Sequence, residues 1–344
     1  MPVTRDDVAR RANVSTAIVS YVINNGPRAV APATRARVLA VIHELGYNPS
    51  AVARNLRRQR TSKLGVLVPK LDIILTDVIA GVQHTAGQRG YHVVHYDANL
   101  DLHEEQKAAD ALISERVEGV IWIPCSEDLS VGKKFAQYGI PVVIVDPPRQ
   151  TEEFVTVDVD NFQGGYLATR HLIELGHRRI ALIDRAVPTI FSRERLNGYE
   201  AALQEYGIRS EASLIAKAGP NIKDGRDAAY ALLGIFDPPT AIFAYADILA
   251  VGVLRAAYTQ GIAVPRQLSV AGFDDIALAA YTCPALTTIA APKFDRGACG
   301  AQMLFDLLDQ CQTERAVQLP VQLVVRETTG PADGSSSKIL TKHG

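Results

Sequence analysis

The sequence predicts an all-α helix-turn-helix head followed by an α/β body of two doubly wound subdomains, and three observations carry that expectation. Near residue 64 the hydrophobic pattern changes from helical spacing to short apolar runs that alternate with amphipathic stretches. The charge changes at the same place: residues 1–60 carry ten basic and three acidic side chains, a balance of +7, while the remaining 284 residues sum to −8. The length, 344 residues, exceeds what a single hydrophobic core comfortably organises. A basic head on an acidic body is the pattern of a polyanion-binding module joined to a non-binding one.

The head reads as three helices. Thr4 is placed to cap a helix over 5–12, with Asp6 and Asp7 in its electropositive first turn and Val8 and Ala12 facing inward. Asn13 ends it, because Asn tolerates the left-handed conformation of a tight turn. Ser15 caps a second helix over 16–24 with Val19, Val22 and Ile23 inward. A loop with Gly26, Pro27 and Arg28 leads to a third helix over 32–45, which is expected to bury Val38, Leu39, Ile42 and Leu45 before Gly46 closes it. Two helices joined by three residues, with a third behind them, form a helix-turn-helix pattern.

Pro49 can open a further helix over 50–56, ahead of the run Arg57-Arg-Gln-Arg60. Seven residues are too few for a helix that stands alone in water, so this segment is expected to order only against a partner.

In the body, strands are predicted at 64–68, 92–96, 120–123, 142–145, 180–183, 241–245 and 269–272, with helices between them, for example 162–175 and 224–236. Alternation of strand and helix implies parallel sheets covered on both faces, and some 270 residues of it imply two subdomains with a cleft between them. The segment after Pro331 is predicted to be a disordered tail, 332–344.

Several function classes recede. A hydrophobic content of 47% rules out an intrinsically disordered chain. No apolar run approaches the roughly 18 residues of a membrane span, and the first residues do not read as an export signal, so a cytoplasmic protein without a membrane partner is expected. Cys125, Cys283, Cys299 and Cys311 form no C-x-x-C pair and suit a reducing compartment. His92 and His95, three apart on a predicted strand, point to opposite faces and make a poor metal pair. Ser130-Val-Gly-Lys133 matches S-x-x-K without that motif's partners, and no glycine-rich phosphate loop follows a strand. No enzyme, cofactor or metal is predicted.

In a helix-turn-helix the N-terminal residues of the second helix enter the major groove, which puts Thr16, Ala17, Ser20 and Tyr21 nearest the base edges. Ala17 offers only a methyl contact to thymine, whereas Thr16 can donate or accept. Thr4, Ser15, Asn24, Thr34 and Arg35 sit at helix ends or loops, where hydroxyls, amides and backbone N–H groups meet phosphates, and Arg28 joins this set.

These residues reach a known pattern. Val3-Thr-Arg-Asp-Asp-Val-Ala-Arg-Arg-Ala-Asn-Val-Ser15, Ile18-Val-Ser-Tyr-Val-Ile-Asn24, Thr34-Arg35 and Glu44-Leu-Gly-Tyr-Asn-Pro-Ser-Ala-Val-Ala-Arg-Asn-Leu56 resemble the LacI/GalR family of bacterial transcription regulators, above all its purine-repressor-like heads. The likeness runs on through Asp160-Asn161, Leu175-Gly-His177, Arg195-Leu-Asn-Gly-Tyr199, Ala246-Asp247, Gly272-Phe-Asp-Asp275, Pro284-Ala-Leu-Thr-Thr-Ile289 and Leu323-Val-Val-Arg-Glu-Thr328, covering about residues 3–330.

The resemblance implies that 50–56 is a hinge helix that folds when two copies meet over a minor groove. Leu56 of each copy would wedge into the central base step, with Ala53 and Arg57 beside it. It also implies a periplasmic-binding-protein-like body with an effector in the cleft. By matching position Arg195 and Asp274 lead the effector contacts, followed by Asp146; Trp122 and Phe191 fall near the cleft, where each is either a stacking surface for the effector or, as aromatics more often are, core. Two departures stand out: the loop Pro69-Lys-Leu-Asp-Ile-Ile-Leu-Thr-Asp77 lacks the family's usual aromatic pair, and Ala246 replaces a common asparagine.

The expected organisation is a DNA-binding domain at 1–46, a hinge and linker at 47–62, and an effector-binding and dimerisation domain at 63–331. Within the last, one subdomain takes about 63–160 and 290–320, the other about 161–289 and 321–331. The expected function is a homodimeric transcription regulator, a repressor on a palindromic operator of double-stranded DNA, controlled by a small polar effector with a sugar or related metabolite favoured. A transport solute-binding protein would share the body but not the basic head. A sugar-metabolising α/β enzyme would need a catalytic constellation that the sequence does not offer.

Overall fold

A computed structural model describes residues 3–24, 26, 29–47, 61–71, 73–148, 151–187 and 189–332. It divides into two compact units, Met1–Ser62 and Lys63–Gly344. The expected hinge contacts at Ala53, Leu56 and Arg57, the loop residue Arg28 and the tail beyond 332 lie outside the described residues.

The first unit contains α1 (Arg5–Ala12), α2 (Thr16–Asn24) and α3 (Pro32–Leu45). Thr4 and Asp7 form a reciprocal capping box, the Asp7 N–H donating to Thr4 Oγ1 at 3.3 Å and the Thr4 N–H to Asp7 Oδ2 at 2.9 Å. Asn13 and Gly46 take left-handed backbone (φ +49° and +61°) and close α1 and α3. Val8, Ala9, Ala12, Val19, Val22, Val38 and Val41 make the small core. Leu39, expected inside, is 47% exposed. The inward stripe of α3 runs through Val38, Val41, Ile42 and Leu45 at helical spacing, and Leu39 lies one residue, about 100°, off it.

Among the described residues the second unit holds two six-stranded sheets. The first contains β1 (Lys63–Val68), β2 (His92–Asp97), β3 (Gly119–Trp122), β4 (Val142–Val145), β5 (Val155–Val159) and, far along the chain, β11 (Ala316–Leu319). Their spatial order is β11-β5-β4-β3-β1-β2, parallel throughout. Helices α4 (Ile73–Gln88) and α11 (Lys293–Leu308) cover one face, α5 (Leu102–Ser114) and α6 (Ser130–Gln137) the other. The second sheet, ordered β12-β10-β9-β8-β6-β7, contains β6 (Ile180–Arg185), β7 (Ile215–Ala218), β8 (Ala241–Ala244), β9 (Ser269–Asp274), β10 (Thr287–Ala290) and the antiparallel β12 (Gln322–Val324). It lies between α7 (Asn161–Glu174) with α8 (Ile190–Glu205) and α9 (Ile222–Leu233) with α10 (Asp247–Thr259).

Burial on both faces explains why β3, β4, β8 and, after Lys63, β1 are unbroken apolar runs. The chain passes between the sheets three times, after β5, β10 and β11. The helix expected over 224–236 stops at Leu233, with Gly234 following it, and Phe236 stands fully exposed beyond.

Candidate functional site: a nucleic-acid face and a polar cleft

On α2 the buried side is Val19 and Val22; Thr16, Ala17, Ser20 and Tyr21 fall on the other side, Ala17 exposed and the rest half-buried. Ser15, itself exposed, lends its Oγ to the Ile18 N–H at 3.4 Å and so fixes where the helix begins. The ring of Tyr21 lies close over Gly26, where an added Cβ would stand 2.5 Å from Cδ1. Thr34 and Arg35 occupy the first turn of α3, and Asn24 ends α2. An exposed ion pair, Arg11 to Glu44 at 2.7 Å, joins α1 to α3. The face can therefore offer hydroxyls, a methyl group and a phenol to base edges, with helix starts for phosphates.

In the body, the charged side chains gather where carboxyl ends of strands from both sheets meet, the usual ligand position in open α/β sheets. Asp146 follows β4, Asp274 ends β9, and Arg195 and Glu194 come from the first half of α8. Asp146, Asp274 and Asp275 all take positive φ (+55°, +104° and +49°). Such backbone is strained for residues other than glycine and clusters at ligand sites.

Arg195 is 6% exposed and heavily engaged. Its Nε donates to Asn161 Oδ1 at 2.9 Å, Nη1 donates to the Tyr245 carbonyl, and the guanidinium lies 3.4 Å over the Phe273 ring. Nη2 stands 3.7 Å from Asp274, a charge contact too long for a hydrogen bond. Burial works against the Arg195 charge, and Asp274 is the main group supporting it. Phe191 is half-buried at the start of the same helix, with Arg185 and Arg195 over its ring at 5.4 and 5.7 Å.

Trp122 is a correction. Of the two readings open for it, stacking on the effector or core, the structure gives core: it is fully buried between the first sheet, α5 and α6, and its indole N–H donates to buried Glu105 at 2.9 Å. A strand in the middle of a doubly covered parallel sheet leaves its side chains no free surface.

Other members of the cleft escaped sequence reasoning. Arg296, in the first turns of α11, is 5% exposed and donates from Nη1 to Asp146 Oδ1 at 2.8 Å. Its Nε is buried with no hydrogen-bond partner among the described residues. Asp158 is pushed up to about 7 by burial first and by Asp146 next, while its own Val159 N–H and Arg296 pull the other way. Asp247 is pushed up to about 8 by burial and then by Asp274; it accepts from Thr288 Oγ1 and from the Ile276 N–H. Lys293 donates to the carbonyls of Asp274 and Asp275, tying the start of α11 to the end of β9 and the loop after it. Only Asp160-Asn161 and Ala246-Asp247 had a sequence signal, as motif members; Arg296 and Lys293 had none.

Asp158 and Glu194 also line a cavity of about 560 Å³ at the outer seam, with Glu152, Thr156, Ile190 and Gln318. Across the seam Arg193 pairs with Glu127 at 2.9 Å. Among the described residues no cluster of His, Cys, Asp and Glu has the make-up of a metal site, and no helix is long and apolar enough to cross a membrane.

Comparison with known proteins places both parts. Residues 4–50 match bacterial regulatory proteins of the lacI family, and residues 169–329 match a periplasmic binding protein-like domain. The HTH-type transcriptional repressor PurR of Klebsiella pneumoniae subsp. pneumoniae is 36% identical over 336 residues, 96% of this chain and 97% of that protein. Among solved structures, the lac repressor dimer bound to operator and the anti-inducer ONPF superposes with a TM-score of 0.86 at 29% identity, over 96% of this chain and 100% of that one. A transcriptional regulator CelR–cellobiose complex superposes with a TM-score of 0.73 at 30% identity, over 95% and 99%.

Proposed function

As the chain belongs to the lacI family of bacterial regulatory proteins, we infer that it represses transcription by binding operator DNA under the control of a small molecule held in its body. It acts by binding and not by catalysis, and the reading calls for no cofactor and no metal. A DNA target supports a cytoplasmic location.

The observation that carries the reading is the head itself, where α2 turns Thr16, Ala17, Ser20 and Tyr21 away from a closed core in the most basic part of the chain. In this reading Thr4, Ser15, Asn24, Arg28, Thr34 and Arg35 hold the phosphates, and residues 1–46 are the DNA-binding domain. A head with so few base contacts has little specificity alone; two linked heads on a near-palindromic operator raise the effective concentration of the second. Residues 47–62 connect the head to the effector-binding and dimerisation domain, 63–331. Leu56, with Ala53 and Arg57, would wedge the central step, since an apolar side chain beside arginine is what kinks DNA from the minor groove.

Arg195, Asp274, Asp146 and Phe191 contact the effector. The three chain crossings between the sheets support a change of closure on binding. An effector that moves the equilibrium from 99:1 to 1:99 must favour one state by about 5.5 kcal/mol.

Gel shift with full-length protein on palindromic operators tests this. Salt-sensitive, sequence-dependent binding is expected, with Leu56→Ala losing DNA bending. Sequence-independent binding would remove the reading, and unchanged bending by Leu56→Ala would remove the wedge.

A further inference from the structure

The four side chains that α2 turns away from the core are unequal. Thr16, Ala17 and Ser20 are short, so the helix itself sets how far they reach. Tyr21 carries a long ring, and its rotamer decides where the phenol lies. An aromatic side chain in a helix has two main χ1 wells, and a change of well takes the phenol oxygen to a different base edge.

Gly26 makes that choice. Its N–H donates to the Tyr21 carbonyl, five residues back, at 3.1 Å, which is the bond that closes a helix end of the Schellman kind. In such an end an apolar side chain on the closing residue commonly packs against the residue whose carbonyl is capped. Here the closing residue has no side chain, and the Tyr21 ring lies in the space one would take. A Cβ built on Gly26 would stand 2.5 Å from ring atom Cδ1, 3.3 Å from Cγ and 3.3 Å from the Tyr21 Cα. Only glycine lets the ring lie this close to the loop backbone. The nearest obstacle is a ring, which can turn about its Cα–Cβ bond. A side chain at position 26 would therefore displace Tyr21 and spare the head, whose core is built elsewhere by Val8, Val19, Val22 and Val38.

We propose that Gly26 determines operator specificity: by leaving room for the Tyr21 ring it holds the phenol in one orientation and so selects the base pair that Tyr21 reads in each half-site. Gly26 is a positioning residue that acts through Tyr21. The proposal rests on the DNA-reading face described above and adds to it a residue outside α2. The phenol hydroxyl both donates and accepts, and the ring suits a thymine methyl group, so its orientation decides which pair it meets. A ring already seated also has less rotamer freedom to lose on the DNA.

The test uses the full-length protein and a duplex that the wild type enriches from a pool of randomised palindromes, with a scrambled duplex as the non-specific control. Gly26→Ala is expected to bind the enriched duplex about tenfold more weakly and the scrambled duplex within about twofold of the wild type. It should lose the wild-type preference at the same base pair of each half-site as Tyr21→Ala does. Added to Tyr21→Ala, where no ring remains to be displaced, Gly26→Ala should change affinity by no more than about twofold. A defect of the loop alone would add its cost in both backgrounds. If Gly26→Ala does not fold by itself, the double variant is the test: it should fold and bind as Tyr21→Ala does. The inference is overturned if Gly26→Ala matches the wild type on the enriched duplex, or weakens both duplexes alike. It is also overturned if the lost preference falls at a base pair that Tyr21→Ala leaves intact, if the cost is the same in both backgrounds, or if the double variant does not fold. A wild type that enriches no sequence would remove the operator reading and this proposal together, whereas failure confined to the variants removes only the role of Gly26.

Discussion

At the scale of single residues, the cleft is held by side chains that do several things at once. Arg195 satisfies the Asn161 amide oxygen, caps the Tyr245 carbonyl and covers the Phe273 ring. Removing it strands all three and takes a positive charge from beside Asp274. Arg195→Ala is therefore expected to cost the body about 3–5 kcal/mol as well as its effector response, measured by chemical denaturation and by ligand-dependent gel shift. A variant of unaltered stability would show that these contacts do not carry the site. Trp122 and Arg296 make the complementary point. Residue type suggested an aromatic stacking surface, yet the tryptophan is core and the arginine is buried in a pair with Asp146.

Elements position these side chains through close approach. At Gly297 of α11 an added Cβ would lie 1.9 Å from the Val78 carbonyl oxygen of α4, and at Gly81 of α4 it would lie 2.0 Å from the Phe294 carbonyl oxygen. Both obstacles are backbone, so neither can swing aside. Gly297→Ala is expected to push α11 outward, costing about 2 kcal/mol and carrying Arg296, one residue earlier, away from Asp146. Thermal unfolding and effector affinity should fall together; a neutral substitution would mean that the two helices are not locked. In the head, the Thr4 cap and Asn13 set α1 as expected from sequence, whereas Leu39 was misassigned because apolar character alone does not fix the phase of a helix.

For the whole molecule, buried carboxyls make stability depend on pH. Asp158 is raised to about 7 and Asp247 to about 8, each chiefly by burial and next by a neighbouring aspartate. Both release protons more readily when unfolded, so the folded body is favoured at acid pH and loses that advantage as pH rises from about 4 through about 8. The thermal transition of the body is expected to fall between pH 5.5 and 8.5. Asp247→Asn keeps an acceptor for the Ile276 N–H without the ionisation, and should flatten the profile by at least about 1 kcal/mol. An equal slope in wild type and variant would contradict the assignment.

Much of this was legible beforehand. Helix caps, turn residues and apolar phase are local properties, so the three head helices and seven strands could be read directly, as could the switch from basic head to acidic body. The short strands Val155–Val159, Ile215–Ala218, Thr287–Ala290, Ala316–Leu319 and Gln322–Val324 were not, because three to five residues carry too little pattern and edge pairing is decided by distant chain. By itself the sequence determined what kind of molecule this is and that Arg195, Asp146 and Asp274 were chemically suited to a polar ligand. Only the tertiary structure decided that Arg296 pairs with Asp146, 150 residues away in sequence, and that Trp122 is sealed in the core. Charge pairing and burial act through space, and neither leaves a period in the chain.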